Sequence, residues 1–292
     1  MKLATSAILA AALILAGCES QPLPPPPIAA APPRSAGLAR GADLPTDASD
    51  ILSELKTSRL DFVARYYRDP ASRWPTLSAG EVQRLSALGL KIVTVWEWHS
   101  RDPAAFSYAS GYYEALNAYG QAKSVGQPAG SAIYFAVDFN ARGQDLYRVD
   151  QYFRGVAAGF AAAGQGRPQY KVGVYGSGAV CAMMKGERLA QYAWLSGSTA
   201  WEGSSGYAGW NIRQADQGAH WAHLSFVHDA NEATEDYGGF RLAGDDATPA
   251  PAIATAAAPA VATATAPPSP TDVAQQAREP DHTLVGMIKS WF

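Results

Sequence analysis

Four carboxylates stand at or next to the end of apolar, strand-like runs. Asp138 ends the run that begins at Ala132, and Asp43, Glu97 and Asp229 hold similar positions in shorter runs. A carboxylate beside a buried strand costs free energy unless it is paired or has a role in binding or catalysis. Two carboxyl groups across a glycosidic bond are what sugar-cleaving enzymes use. The spacing therefore predicts a site for glycan chemistry.

Glu97 and Asp138 are the predicted catalytic pair. Glu97 is flanked by indoles, one of them Trp98, which can stack on a sugar and raise the Glu97 pKa by excluding water. We expect Glu97 to act as the acid, and Asp138 as the base or as an electrostatic stabiliser. The alternative for Glu97 is a structural ion pair with Arg65 or Lys91.

Asp43 and Asp229 are the second predicted pair of acids. The first and last strands of a barrel close on each other, so both carboxylates should share the pocket floor and orient water or sugar hydroxyls. The alternative is pairing through the backbone or with Arg40. For any single aromatic side chain nearby, core packing is the alternative role. The predicted substrate-binding residues are Tyr66, Trp98, Asn140, Tyr175, Trp194, Trp210 and Gln214.

Histidines near the end of the domain are the one metal candidate considered. His220 and His223 have the spacing of two ligands on a helix, with His228 and Asp229 close by. The segment is not helical in pattern, and no Glu lies between the pair as zinc proteases require. We therefore predict no metal and no cofactor.

Eight strand-like runs alternate with helix-like or linker segments. Such alternation is typical of parallel strand–helix units, and eight of them predict an α/β fold, the (β/α)8 TIM-type barrel. Acids at the carboxyl ends of barrel strands meet on one face, where catalytic residues lie. The last intervals are too short for full helices, so we expect degraded final helices. The runs are 38–44, 62–67, 91–98, 132–139, 171–177, 192–196, 209–214 and 224–229.

Helix signals lie between these runs. Ser78 and Glu81 have the spacing of a capping box, and the apolar face that follows ends at Gly89. Residues 108–122 and 149–163 are further predicted helices. The alternative architecture, a doubly wound open sheet, lacks the support of a Gly-rich phosphate loop.

The first seventeen residues resemble a bacterial lipoprotein signal peptide that is cleaved before Cys18. Lys2 precedes a short apolar stretch, and Gly17-Cys18 stands where cleavage would occur. A lipid on the Cys18 thiol would anchor the protein in a membrane of the cell envelope, facing the periplasm or the exterior. The alternative is an ordinary secretory signal that contains a cysteine.

Composition divides the chain into five predicted segments. Residues 1–17 are the signal peptide, and 18–36 form a Pro/Ala-rich tether. Residues 37–242 hold the barrel, and 243–281 form a disordered linker rich in Ala, Pro and Thr. The apolar spacing in 282–292 suits a short amphipathic helix, with a frayed tail as the alternative.

Overall composition supports a globular domain without a nucleic-acid partner. The 292 residues are 48% hydrophobic and 11% aromatic, which is ample for a core. The formal net charge is −3, and Lys and Arg form no dense cluster. Nucleic-acid binding requires a basic surface, so this class of function is set aside.

Motifs along the predicted strands resemble those of one family. Gly41-Ala42-Asp43 opens the first strand, Ile133-Tyr134-Phe135-Ala136-Val137-Asp138 forms the fourth, Val172-Gly173-Val174-Tyr175-Gly176 the fifth, and Asp229-Ala230-Asn231 belongs to the eighth. Together they resemble the bacterial glycoside hydrolase-like domain DUF1906, whose fold is related to glycoside hydrolase family 25 lysozymes. The resemblance implies the barrel fold and a glycan partner.

The same resemblance leaves the activity open. In family 25 lysozymes the fourth strand ends in Asp-x-Glu, and the Glu is the general acid. The matching residues here are Asp138-Phe139-Asn140, and an Asn cannot deliver a proton. One hypothesis is a hydrolase of peptidoglycan or another envelope glycan, and the second is a glycan-binding barrel without catalysis. A third, a scaffold whose tails recruit partners, predicts no carboxylates facing a pocket.

Overall fold

Eight strands close into a barrel in chain order, with β8 returning to β1. The computed structural model describes residues 37–215, 221 and 223–242. The strands are β1 Ala39–Asp43, β2 Phe62–Tyr67, β3 Lys91–Trp96, β4 Ala132–Ala136, β5 Lys171–Gly176, β6 Tyr192–Leu195, β7 Ile212–Gln214 and β8 Asp229–Ala233. The helices are α1 Leu52–Thr57, α2 Ala79–Ala87, α3 Tyr108–Ser124, α4 Gln144–Ala163 and α5 Gly178–Gly186, with 3₁₀ turns at Ala48–Ile51 and Pro103–Ala105. The predicted TIM-type barrel is confirmed.

The last strand differs from its prediction in position and direction. The sequence predicts a parallel strand over 224–229 that ends in Asp229, whereas β8 begins at Asp229. It pairs antiparallel with both β1 and β7, while the neighbours from β1 to β7 are parallel. Reversal of β8 places its first residue on the face of the barrel where the other strands end.

The helices follow the sequence signals closely. The Ser78 hydroxyl accepts from the Glu81 N–H and caps α2, while α4 begins at Gln144, before the predicted start at 149. Residues 196–211, between β6 and β7, form no helix. The described residues between β7 and β8 contain none either. The final helices of the barrel are therefore missing in this part of the chain.

Side chains inside the barrel fill it with aromatic rings placed against glycines. Phe62 and Tyr134 are fully buried in the inner cluster. A Cβ on Gly41 would collide with the Phe62 ring, and one on Gly173 with the Tyr134 ring. Large and small residues on neighbouring strands thus interlock, as the tapering interior of a small barrel requires.

The outer face of the barrel contains a buried ion pair. Arg65 points outward from β2, and its Nε lies 2.5 Å from Glu81 Oε1 with both side chains fully buried. Glu81 also accepts from the Ala48 N–H, and Arg65 donates to the Leu44 carbonyl at 2.7 Å. These bonds join the outer side of β2 to α2, so Arg65 is not available to the rim carboxylates.

The remaining predicted segments lie outside the described residues. These are the signal peptide 1–17 with Cys18, the tether up to residue 36, the linker 243–281 and the segment 282–292. Within the described helices, none combines the length and apolar character needed to span a membrane.

Candidate active site

The strand period of two residues determines which side chains reach the cavity. Val95 and Ala136 face the barrel interior, so Glu97 and Asp138, two positions further along, face the same way just past the ends of β3 and β4. Successive inward positions thus change from apolar to polar at the carboxyl ends of the strands. A closed apolar interior therefore carries a polar cavity on one face.

This cavity encloses about 160 Å³ at the carboxyl ends of the parallel strands. All four predicted acids line it, although they come from four different strands or strand ends. The cavity is lined by Asp43, Tyr66, Val95, Glu97, Arg101, Ala136, Asp138, Tyr175, Trp194, Gln214 and Asp229.

Asp43 forms the floor of the cavity and is held by neutral donors. Tyr66 donates its hydroxyl to Asp43 Oδ1 at 2.9 Å, and Asn231 donates to Oδ2 at 2.7 Å. Burial, followed by the neighbouring charge of Asp229, raises the pKa of Asp43 to about 7 despite these hydrogen bonds. Asp43 can therefore hold or release a proton near neutral pH.

Gln214 connects the two acids of the floor. Its Nε2 lies 3.1 Å from Asp229 Oδ2 and 3.4 Å from Asp43 Oδ2. Its Oε1 accepts from the Tyr175 hydroxyl at 3.0 Å and from the Gly197 N–H at 3.2 Å, which fixes the orientation of the amide. Burial raises the pKa of Asp229, while His228 acts in the opposite direction.

Asn231 is a residue of the site that our sequence analysis did not assign. It lies two residues after Asp229 on β8, is fully buried, and accepts from the Trp194 indole N–H at 2.9 Å while it donates to Asp43. The strand period from Asp229 would have identified it, had the direction and position of β8 been known. Trp194 is itself buried in the floor and supports Asn231 instead of offering an open stacking face.

Glu97 lies at the mouth of the cavity and is paired with Arg68. Arg68 Nη1 is 3.3 Å from Glu97 Oε2, and the Ser100 hydroxyl is 3.3 Å from Oε1. Burial raises the Glu97 pKa above its usual range, Arg68 opposes the rise, and the charge of Asp138 adds to it. The alternative prediction, an ion pair of Glu97 with Arg65 or Lys91, is wrong, because Glu97 pairs with Arg68.

Asp138 forms a shorter ion pair than Glu97 does, and its partner Arg101 is more exposed than Arg68. Arg101 Nε donates to Asp138 Oδ2 at 2.7 Å, with the Arg101 side chain 76% exposed. Burial raises the Asp138 pKa, while the Arg101 hydrogen bond and charge act to lower it. Neither Arg68 nor Arg101 was identified from the sequence, since no local pattern distinguishes them from surface arginines.

Three predicted substrate-binding residues lie outside the cavity lining. Asn140 accepts from the Glu202 N–H at 2.8 Å and so fixes the loop after β6. Trp98 lies beside the cavity, in a groove that also contains Glu97 and Asp138. The Trp210 ring is covered by the Arg213 guanidinium, 4.9 Å from the ring centroid.

The histidines considered as metal ligands bind backbone groups instead. His223 Nε2 lies 2.9 Å from the Ser58 carbonyl, and His228 Nε2 accepts from the Trp221 N–H at 2.8 Å. His220 is outside the described residues. Among the residues that are described, no three His, Cys, Asp or Glu side chains are grouped as a metal site requires.

Comparison with known proteins identifies the family. A family model described as "Rv2525c-like, glycoside hydrolase-like domain" matches residues 53–248, which is more than half of the chain. The chain belongs to this family. The resemblance seen in the strand motifs is thus confirmed.

Known proteins are similar to this chain over different shares of their length. FadG, an uncharacterized protein of Bacillus subtilis, is 30% identical over 166 residues, which make up 54% of this chain and 28% of FadG. The chain thus matches less than a third of that relative. The Tat-secreted protein Rv2525c of Mycobacterium tuberculosis, solved in complex with HEPES, has a TM-score of 0.54 at 20% identity, over 70% of this chain and 99% of that one. A glycosyl hydrolase 25 of Streptococcus pneumoniae, GHIP, aligns at a TM-score of 0.44 and 11% identity, over 68% of this chain and 87% of that one.

Burial is the largest influence on all four carboxyl groups of the cavity and raises the pKa of each. Asp138 differs from the others in its short, charge-assisted bond from Arg101, which acts against the rise. Acid–base catalysis uses neighbouring carboxyl groups whose surroundings favour different protonation states. Tyr66, Tyr175 and Gln214 add neutral donors and acceptors suited to sugar hydroxyls.

Proposed function

We propose that this protein acts on a glycan of the cell envelope, with peptidoglycan as the first candidate, and hydrolyses a glycosidic bond in the cavity. The observation that carries the proposal is the convergence of Glu97, Asp138, Asp43 and Asp229 on one cavity. Four acids with purely structural roles would be expected at separate places in the fold, whereas here all four line one cavity, two of them with an arginine partner. Retaining and inverting glycosidases both require two carboxyl groups that face one bond.

In this proposal Glu97 is the acid and Asp138 remains ionised. Glu97 is partly open to solvent, with its side chain 29% exposed, and its single ion pair with Arg68 is long, so it can take up and deliver a proton. Asp138 keeps its charge through Arg101 and serves as base or as stabiliser of positive charge that develops on the sugar. Asp43 and Asp229 orient the sugar hydroxyls from the floor.

The alternative function is a glycan-binding barrel that does not catalyse. Asn140 favours it, because this residue replaces the acid that the family 25 resemblance would require at that position. The Asn140 side chain is also committed to the Glu202 backbone and does not line the cavity. The two functions differ in whether Glu97 acts as the general acid in place of the one that is absent at Asn140.

Product release from glycans separates the two functions. The full chain is incubated with purified peptidoglycan and with a panel of envelope polysaccharides, and new reducing ends are measured. Glu97→Gln and Asp138→Asn are each expected to reduce release by about 100-fold or more. Asp150→Asn is the matched control, since Asp150 has similar exposure and is paired with Arg154 at 2.8 Å on α4.

Three outcomes are informative. Release that is lost in both cavity variants and kept in Asp150→Asn supports the hydrolase. Saturable binding without release, in the wild type as in the variants, supports the binding barrel. A chain that neither binds nor cleaves any of these glycans overturns both functions.

We further propose that Cys18 carries the lipid that anchors the barrel in the envelope membrane. The support is the signal-like sequence before Cys18. Incorporation of labelled palmitate into the full chain, lost in Cys18→Ser, is the expected result. Release of the wild-type protein into the soluble fraction without label would show that the segment is an ordinary secretory signal.

A further inference from the structure

A second, larger depression continues from the cavity across the barrel rim. It encloses about 590 Å³ and shares Tyr66, Glu97, Arg101 and Asp138 with the cavity. We call it the rim groove. Sites for small ligands usually enclose about 300–1,000 Å³, a range that includes the rim groove and lies above the volume of the cavity. The cavity has room for one end of a glycan, so a longer chain must extend along a neighbouring surface.

The rim groove carries an exposed tryptophan. Trp74, in the loop between β2 and α2, is 59% exposed and lines the groove together with Trp98. Tryptophan is enriched at binding surfaces, because its indole combines a large apolar face with an N–H donor. Trp98 packs partly against the core, so Trp74 is the ring with a free face.

The loop that carries Trp74 is fixed in place. Gln121 on α3 donates to the Arg68 carbonyl at 2.6 Å and accepts from the Arg68 N–H at 3.2 Å, at the start of the loop. Its Oε1 also accepts from the Thr76 hydroxyl at 2.8 Å, at the end of the loop. The Gln121 side-chain amide thus binds both ends of the loop and holds them against α3. A preorganised loop loses little entropy when a ligand stacks on its ring.

Both arginines of the rim groove are paired with carboxylates, and a further carboxylate, Asp102, caps the turn at Pro103–Ala105. Arg68 is paired with Glu97, and Arg101 with Asp138, so each guanidinium is compensated by a carboxylate. Arg68 also lies over the Tyr66 ring, 4.4 Å from the centroid. Aromatic faces combined with compensated charges and hydrogen-bonding groups suit a sugar ring and disfavour a polyanion.

We propose that the rim groove is a second saccharide subsite, where the Trp74 indole stacks on a sugar next to the one held in the cavity. The proposal rests on the proposed function, because the groove is a continuation of the same site. It assigns Trp74 a role in recognition of glycan length. It also means that the preferred ligand spans at least two sugars across Glu97 and Asp138.

Affinity as a function of glycan length tests this subsite. The probes are peptidoglycan strand fragments of alternating N-acetylglucosamine and N-acetylmuramic acid, in lengths from two to eight sugars, with the full chain. Wild-type affinity should rise by about 10-fold or more between the shortest fragment that binds and the longer ones. Trp74→Ala should remove about 10-fold of affinity for long fragments and less than about 2-fold for the shortest.

Two further variants make the test specific. Trp74→Phe keeps an aromatic face and should retain most of the affinity for long fragments. Tyr147→Ala is the matched control, since Tyr147 on α4 is 58% exposed and does not line the groove. Trp74 is exposed, so its variants should fold, and their unfolding temperatures provide the check.

The outcomes distinguish the subsite from the function on which it rests. If the wild type binds short and long fragments equally, or if Trp74→Ala binds all lengths as the wild type does, the subsite is wrong while the glycan function stands. If the wild type binds no fragment and cleaves no glycan, the proposed function fails and the subsite with it.

Discussion

Asp43 at the end of β1 is the direct strand partner of Asp229 at the start of β8. Because β8 begins at Asp229 and runs antiparallel to β1, its first residue lies at the face where β1 ends in Asp43. Two carboxylates are thus held side by side at the cavity floor. Their mutual repulsion adds to burial in raising the pKa of Asp43 to about 7.

Changes around Asp43 should move its pKa in opposite directions. Asp229→Asn removes a neighbouring negative charge, so ionisation of Asp43 becomes easier and its pKa falls below 7. Asn231→Ala removes a hydrogen bond to the ionised form, so the pKa of Asp43 rises. Carboxyl titration by ¹³C NMR measures both. Equal shifts in the same direction would contradict the pairing of Asp43 with these two residues.

Arg101 should control the charge of Asp138 without supporting the fold. Arg101→Ala removes the partner that lowers the Asp138 pKa, so this pKa rises and the acidic limb of the activity or binding profile moves to higher pH. Because Arg101 is largely exposed, the loss of unfolding free energy should stay below about 1 kcal/mol.

The control for Arg101 is another exposed ion pair. Arg142 and Glu202 lie 3.1 Å apart with both side chains more than half exposed, and neither lines the cavity. Arg142→Ala should leave the pH profile unchanged. A profile that moves equally in both variants would indicate a general effect of surface charge instead of the contact with Asp138.

Most of the barrel was predictable because each apolar run carries its own local signal. Glu97, Asp138 and Gln214 are inward-facing for the same reason that Val95 and Ala136 are, namely the two-residue period of a strand. An acid two residues after the last inward-facing apolar residue of a strand can therefore be predicted from the sequence to face the cavity.

The parts that could not be predicted depend on contacts between distant segments. The direction of β8 is set by closure of the barrel on β1 and β7, which leaves no trace in the residues around Asp229. Arg68 and Arg101 become part of the site only because the loops after β2 and β3 bring them to Glu97 and Asp138. Their sequence neighbourhoods resemble those of ordinary surface arginines.

Glu114, which does not line the cavity, should make the free energy of unfolding depend on pH. Its Oε2 accepts from the Trp96 indole N–H at 2.7 Å and from the Tyr152 hydroxyl at 2.5 Å, and burial raises its pKa to about 7. A carboxyl with a raised pKa in the folded state contributes stability that is complete below its ordinary pKa of 4.5 and is lost as pH rises to about 7.

Glu114→Gln tests this dependence, since an amide does not titrate. The unfolding free energy of the wild type should fall between about pH 4.5 and 7. In Glu114→Gln this fall should be smaller by an amount on the order of a few kcal/mol. Part of the fall that remains should come from Asp43. Tyr152→Phe removes a bond that lowers the Glu114 pKa, so the decline should move to higher pH. Denaturant unfolding at several pH values measures both, and an unchanged decline in Glu114→Gln would exclude Glu114 as its source.

The contact between α3 and α4 should depend on glycine at one position and not at another. A Cβ on Gly155 of α4 would collide with the Tyr108 carbonyl oxygen and lie 2.9 Å from the Tyr112 nitrogen, both backbone atoms of α3 that cannot move aside. Gly155→Ala should therefore cost about 1–3 kcal/mol of unfolding free energy or more. A methyl group on Gly120 of α3 would have nothing within 4 Å, so Gly120→Ala should stabilise the protein by about 0.5–1 kcal/mol through helix propensity. Chemical denaturation measures the unfolding free energy of both variants. A similar change in both would contradict the close backbone contact between α3 and α4 at Gly155.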